Sequence, residues 1–150
     1  MSALTEYREA KGWSMARLAR EVGMSDTSVG AFEVGTRSLS FEAAERLAQV
    51  LGVDPTALWA RHATDQMRAA LATVSRLTDG QSLVSLGMPR IRLALDLNRE
   101  LSALPDLPPD LMEEKSLLCG QIADQLRRVE EAIRPLESAK RASLKKRLRS

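Results

Sequence analysis

Few residues in this chain are equipped for bond-making chemistry. There is one histidine, His62, and one cysteine, Cys119, in 150 residues. A disulfide or a cysteine-rich zinc site needs more than this, and few catalytic constellations can be assembled from one of each. No glycine-rich phosphate loop, paired-carboxylate site or Ser/His/Asp arrangement is evident. The reading is a protein without catalytic residues, metal or cofactor. His62 is expected on a helix surface, Cys119 as a small hydrophobe beside an apolar stripe, and Trp13 and Trp59 in the core.

What the chain does carry is unevenly placed charge. The net charge is +2. Residues 1–60 hold 6 Lys/Arg against 8 Asp/Glu, and residues 61–139 hold 10 against 12. The last eleven residues carry 6 basic groups and no acid. This tail suits phosphates or an acidic partner, and Leu144 and Leu148, at i, i+4, favour a helix there on binding.

The elements that must position any site are helical. Apolar residues make up 44% of the chain and aromatics 3%, so the core must be built from Leu, Ala, Val and Ile, which favours an all-α fold. No apolar run approaches the ~20 residues that span a bilayer. The first residues lack a basic stretch followed by an apolar one, so a cytoplasmic protein is expected.

Punctuation divides the first sixty residues into five short helices. The first covers residues 4–11 and stops at Gly12. Ser14, Ser25 and Ser40 can cap helices at Met15–Val22, Asp26–Val34 and Phe41–Leu51, with Gly23, Gly35 and Gly52 after them. Asp54 before Pro55 opens a fifth. Beyond Trp59 a separate helix is expected, on Met67, Ala70, Leu71, Val74 and Leu77, stopping at Asp79 and Gly80. Residues 81–87 read as a loop or short strand. Pro89 opens a helix with Ile91, Leu95 and Leu101 on one face. After the break at Pro105, Pro108 and Pro109, Asp110 is expected to cap a long helix, with Glu113 completing a capping box. Its apolar stripe includes Leu118, Ile122, Leu126, Val129 and Ile133, a candidate dimerisation face or a surface packed on the preceding helices. Pro135 is expected to kink or end it. The division is therefore 1–60, 61–139 and a basic tail, 140–150.

Within Met15 to Arg37 the spacing is that of a helix-turn-helix. Ala19 suits a close helix crossing, and Gly23, eight residues after Met15, suits a tight turn of positive φ. Leu18 and Val22 face Val29 and Phe32. Together with the stretches around Trp13, Gly35 and Leu47 to Val53, residues 4–59 resemble the lambda-repressor-like (Xre/Cro) family. The resemblance implies a five-helix domain whose third helix, Asp26–Val34, enters the DNA major groove. It implies phosphate contacts by Ser25, Ser28 and Arg37, with Thr36 beside the last and Arg17 able to join, and base contacts by Asp26, Thr27, Gly30 and Ala31. Glu33 matches a structural acid. Met15 stands where the family usually has Gln. The groove face has no Arg, Lys, Asn or Gln for bidentate base contacts; Asp26 suits cytosine N4 and Thr27 a thymine methyl.

The functional expectation is a dimeric, sequence-specific regulator of transcription bound to double-stranded DNA. The alternative is a protein-interaction module of antitoxin or anti-activator type, gripping a partner with the C-terminal helices and basic tail.

Overall fold

Side chains that accept a hydrogen bond from a backbone N–H three residues on begin six of the helices in the computed structural model, which describes residues 2–149. Ser2 caps α1 (Ala3–Ala10), Ser14 caps α2 (Met15–Val22), Ser25 caps α3 (Asp26–Val34), Ser40 caps α4 (Phe41–Leu51) and Asp54 caps α5 (Pro55–Ser75). Asp79 caps the short α6 (Gly80–Ser82). A π-helical turn, Leu83–Gly87, leads into α7 (Met88–Ser102), and α8 covers Pro109–Arg149. Among the described residues there is no strand, so the fold is all-α. Gly23 takes φ +73° and ends α2, a conformation that would strain any residue with a Cβ.

α5 is the spine. The expected gap between a fifth helix and a separate one on residues 67–77 does not exist: one 21-residue helix spans both. It packs against α1 and α4 on one side and against α7 and α8 on another. Residues 60–66 look polar in sequence, but His62, Thr64 and Gln66 are buried, together with Ala60 and Ala63. The Thr64 hydroxyl donates to the Ala60 carbonyl at 2.8 Å, so its polarity is satisfied within the helix. Leu4, Leu18, Leu47, Leu58, Met67, Leu71, Ile91 and Leu118 belong to one continuous apolar cluster running from the first helix to the last.

Three other expectations are corrected. Residues 81–87 are helical. Small residues let that segment close on its neighbours: a Cβ on Gly80 would stand 3.3 Å from Ala132 Cβ of α8, and one on Gly87 would lie 3.5 Å from Val74 and Leu77. The buried face of α7 is Ile91, Ala94, Leu97 and Leu101, with Leu95 only half-buried. Asp110 does not cap α8; Pro109 is its first residue, and Asp110 lies in the first turn and reaches Arg61 at 3.4 Å.

α8 also continues through Pro135. The proline lacks an N–H for the Glu131 carbonyl, but both residues are exposed, where an unpaired carbonyl costs little, and the helix persists to Arg149. Leu118, Ile122 and Val129 are buried in the chain's own core, and Leu126 and Ile133 pack partly against it. The stripe is thus engaged by the chain's own helices, α5 and α7. Arg68 of α5 pairs with Glu114, and Arg128 Nη2 donates to the Leu77 carbonyl at 2.7 Å, tying α8 to α5 and to the turn that follows it. The tail beyond residue 140 is helical and exposed.

Candidate nucleic-acid interface

Three of the residues expected to touch phosphate converge at the start of α3. The Ser25 Oγ accepts from the Ser28 N–H at 3.1 Å and donates to Ser28 Oγ at 2.9 Å. Arg37 Nη1 donates to Ser28 Oγ at 3.3 Å, and its guanidinium lies 5.5 Å from the Phe32 ring centroid. Stacking on a buried ring limits the rotamers of a long side chain that is otherwise exposed. These residues border an open cleft of about 410 Å³ that also takes in Ser38, Ser40 and Arg46. Ser25 and Ser40 are the N-caps of α3 and α4, so two helix N-termini and two guanidinium groups share one concavity. Aligned peptide dipoles and unpaired N–H groups favour an anion at such a place. Glu42 is the opposing charge on the cleft wall.

Asp26 and Thr27 occupy the first turn of α3 and are exposed, available to a ligand laid along the helix. Gly30 and Ala31 are half-buried. A Cβ on Gly30 would lie 3.5 Å from the Met15 sulfur, so the methionine leans over α3 at the bare glycine. The Ala31 carbonyl accepts N–H bonds from Gly35, Thr36 and Arg37 at 3.1, 3.1 and 3.3 Å. The Thr36 hydroxyl reaches the same oxygen at 3.4 Å. Ala31 and Thr36 therefore build the turn that aims Arg37. Arg17 makes its contact with another group, 5.0 Å over the Trp13 ring, which Lys11 also approaches at 4.9 Å. Trp13 is half-buried and serves as a platform for two cations as well as packing against the core.

Several residues that hold this site were not legible in advance. Trp59 Nε1 donates to the Leu39 carbonyl at 3.0 Å, and Gln66 Nε2 to the Gly35 carbonyl at 3.3 Å, so α5 clamps both ends of the loop that carries Arg37. Arg46 Nη2 donates to the Val22 carbonyl at 2.8 Å, satisfying the end of α2 just before the turn. Arg8 Nε meets Glu33 Oε1 at 2.6 Å, and Arg8 Nη1 donates to the Trp13 carbonyl at 2.8 Å, locking α1 to α3. Glu33 is thus a structural acid, and Arg8 is its partner.

His62 lies behind the same loop and is 2% exposed, which corrects its expected place on the surface. Neither ring nitrogen has a hydrogen-bond partner. Burial pushes its pKa down from the ordinary value; the Asp65 carboxylate and the nearby Arg37 backbone, close but outside hydrogen-bonding geometry, pull it partly back. The folded protein therefore favours the neutral ring. Its contribution is intact above the unfolded pKa of about 6.5 and is lost as pH falls through the folded value. The unfolding free energy, from denaturation between pH 7.5 and 5, should fall on the acid side, His62 contributing at most about 1.4 kcal/mol per pH unit. His62→Gln should flatten that limb; an unchanged acid slope in the variant would exclude His62 as its source.

Among the described residues no group of three or more His, Cys, Asp or Glu is placed to hold a metal ion, and no helix is long and apolar enough to cross a membrane. The Cys119 thiol lies 3.0 Å from Asn98 Oδ1. Residues 4–58 match the helix-turn-helix family model. No curated protein and no solved structure matches the chain. The match makes the N-terminal segment a helix-turn-helix domain, followed by further helices, and points to a DNA-binding regulator of transcription.

Proposed function

We propose that this protein is a sequence-specific transcriptional regulator that lays α3 in the major groove and anchors a backbone phosphate in the cleft between the α3 and α4 N-termini. The observation that carries this reading is the Ser25–Ser28–Arg37 cluster, two hydroxyls and a guanidinium joined by hydrogen bonds at a helix N-terminus. Phosphate contacts set register; base edges set sequence. With no Arg, Lys, Asn or Gln among the residues from Asp26 to Ala31, base discrimination rests on Asp26 and Thr27 and on DNA shape. Arg17 on its Trp13 platform supplies a further cation.

In this reading the protein works in the cytoplasm as a homodimer on a near-palindromic site, with reading heads about 34–36 Å apart for successive major-groove faces. Leu126 and Ile133, partly covered by the core, remain the accessible edge of the α8 stripe for such a contact. The domain division at residue 60 falls within α5, so head and C-terminal helices would move together.

Arg37→Ala should weaken binding to specific and mixed-sequence DNA alike, by roughly tenfold, and lower the log–log salt slope by about one. Loss of sequence preference at unchanged affinity for mixed DNA would contradict the phosphate role.

A further inference from the structure

The core ends before the chain does. Val129 is the last buried residue of α8, and Ala132 and Ile133 are the last to pack against the core. Every described residue from Arg134 onward is exposed, although the helix continues to Arg149. At 1.5 Å per residue that is an overhang of roughly 24 Å. It carries seven Lys/Arg and one acid, Glu137.

Five of the six basic residues beyond residue 139 fall in two rows, and Lys146 lies on the opposite face. Arg141, Lys145 and Arg149 follow i, i+4, i+8 and form one row. Lys140 and Arg147, seven apart, form another. Leu144 and Leu148 lie between the rows and are 58% and 78% exposed. The result is a helix with cations on both flanks of a narrow apolar edge. An acidic patch on a globular partner meets one flank. A nucleic-acid groove has phosphates on both sides and is wide enough, at about 12 Å in B-DNA, to take a helix between them. The head, by contrast, has fewer bases than acids in residues 1–60, and phosphate neutralisation supplies most non-specific affinity.

We infer that the overhanging end of α8 is a second DNA-binding element, a basic helical arm that supplies the phosphate neutralisation the reading head lacks. Leu144 and Leu148 face the groove between the two basic rows. The inference rests on the DNA-binding reading of the head.

The test uses the full chain. A variant with Lys140, Arg141, Lys145, Lys146, Arg147 and Arg149 all changed to Gln keeps the length, and a second chain ends at Ala139; helix content by circular dichroism checks both. Binding to mixed-sequence duplex is measured from 50 to 200 mM salt. The log–log slope is expected to fall by about 4–5 in both, and affinity at 100 mM salt by on the order of a hundredfold. A slope change below one overturns the inference. Retention of the wild-type chain, but not the Gln variant, on polyglutamate with an unchanged DNA slope assigns the arm to an acidic protein and also overturns it. Arg37→Ala separates the two claims: a response to the Gln variant alone keeps the arm and removes the head's phosphate role, whereas a response to Arg37→Ala alone keeps the head and removes the arm. No binding by the intact chain at 50 mM salt removes both.

Discussion

Replacing Arg8 with Met is expected to destabilise the protein by about 3 kcal/mol, well beyond the effect of a surface ion pair. The side chains of Arg8 and Glu33 are 15% and 10% exposed, and their contact is 2.6 Å. Removing the guanidinium leaves a carboxylate in the seam between α1 and α3 with no counter-charge, and the Trp13 carbonyl loses its donor. The penalty comes from the stranded charge more than from the attraction lost. The double variant Arg8→Met/Glu33→Met should therefore recover most of the stability, because an apolar pair needs no desolvation of charge. Urea unfolding of the two single variants and the double closes the cycle. A cost below 1 kcal/mol for Arg8→Met would show that the pair is solvated and structurally idle.

The same pair marks where sequence stops being informative. Glu33 is readable as a structural acid from the family resemblance, but Arg8 lies 25 residues away and only folding brings them together. Caps and stops are legible because a single residue determines each: Ser14, Ser25, Ser40 and Asp54 begin helices where expected, and Gly23, Gly35 and Gly52 end them. Periodicity misleads where polar residues are buried by tertiary partners. His62, Thr64 and Gln66 break the apolar pattern of α5, yet all three are inside. Pro135 misleads in the opposite direction, since a local rule about proline carries little weight on an exposed face. At the site, Ser25, Ser28 and Arg37 are marked by the family resemblance, while their mutual hydrogen bonds appear only in the fold. The clamp by Trp59 and Gln66 on the Arg37 loop follows from α5 being one helix, which sets the two residues seven apart on one face.

That continuity has its own consequence. Leu71→Ala should cost about 2–5 kcal/mol, the range for truncating a buried leucine that its surroundings cannot refill. Leu71 is 2% exposed, in the half of α5 beyond the helix-turn-helix segment. Were the head an independent unit, its unfolding would not register the change. However, α5 packs against α1 and α4 as well as α7 and α8, and one apolar cluster runs from Leu4 to Val129. Damage in the second half must therefore be transmitted to the first. Trp13 lies in the head and Trp59 beside the cleft that the head shares with α7, so fluorescence reports the head and that seam, while far-ultraviolet circular dichroism reports every helix. The two denaturation curves should coincide in the wild type and shift together in Leu71→Ala. A fluorescence transition that stays in place while the dichroism transition moves would mean that the head folds alone, and that α5 joins two units mechanically without coupling their stability.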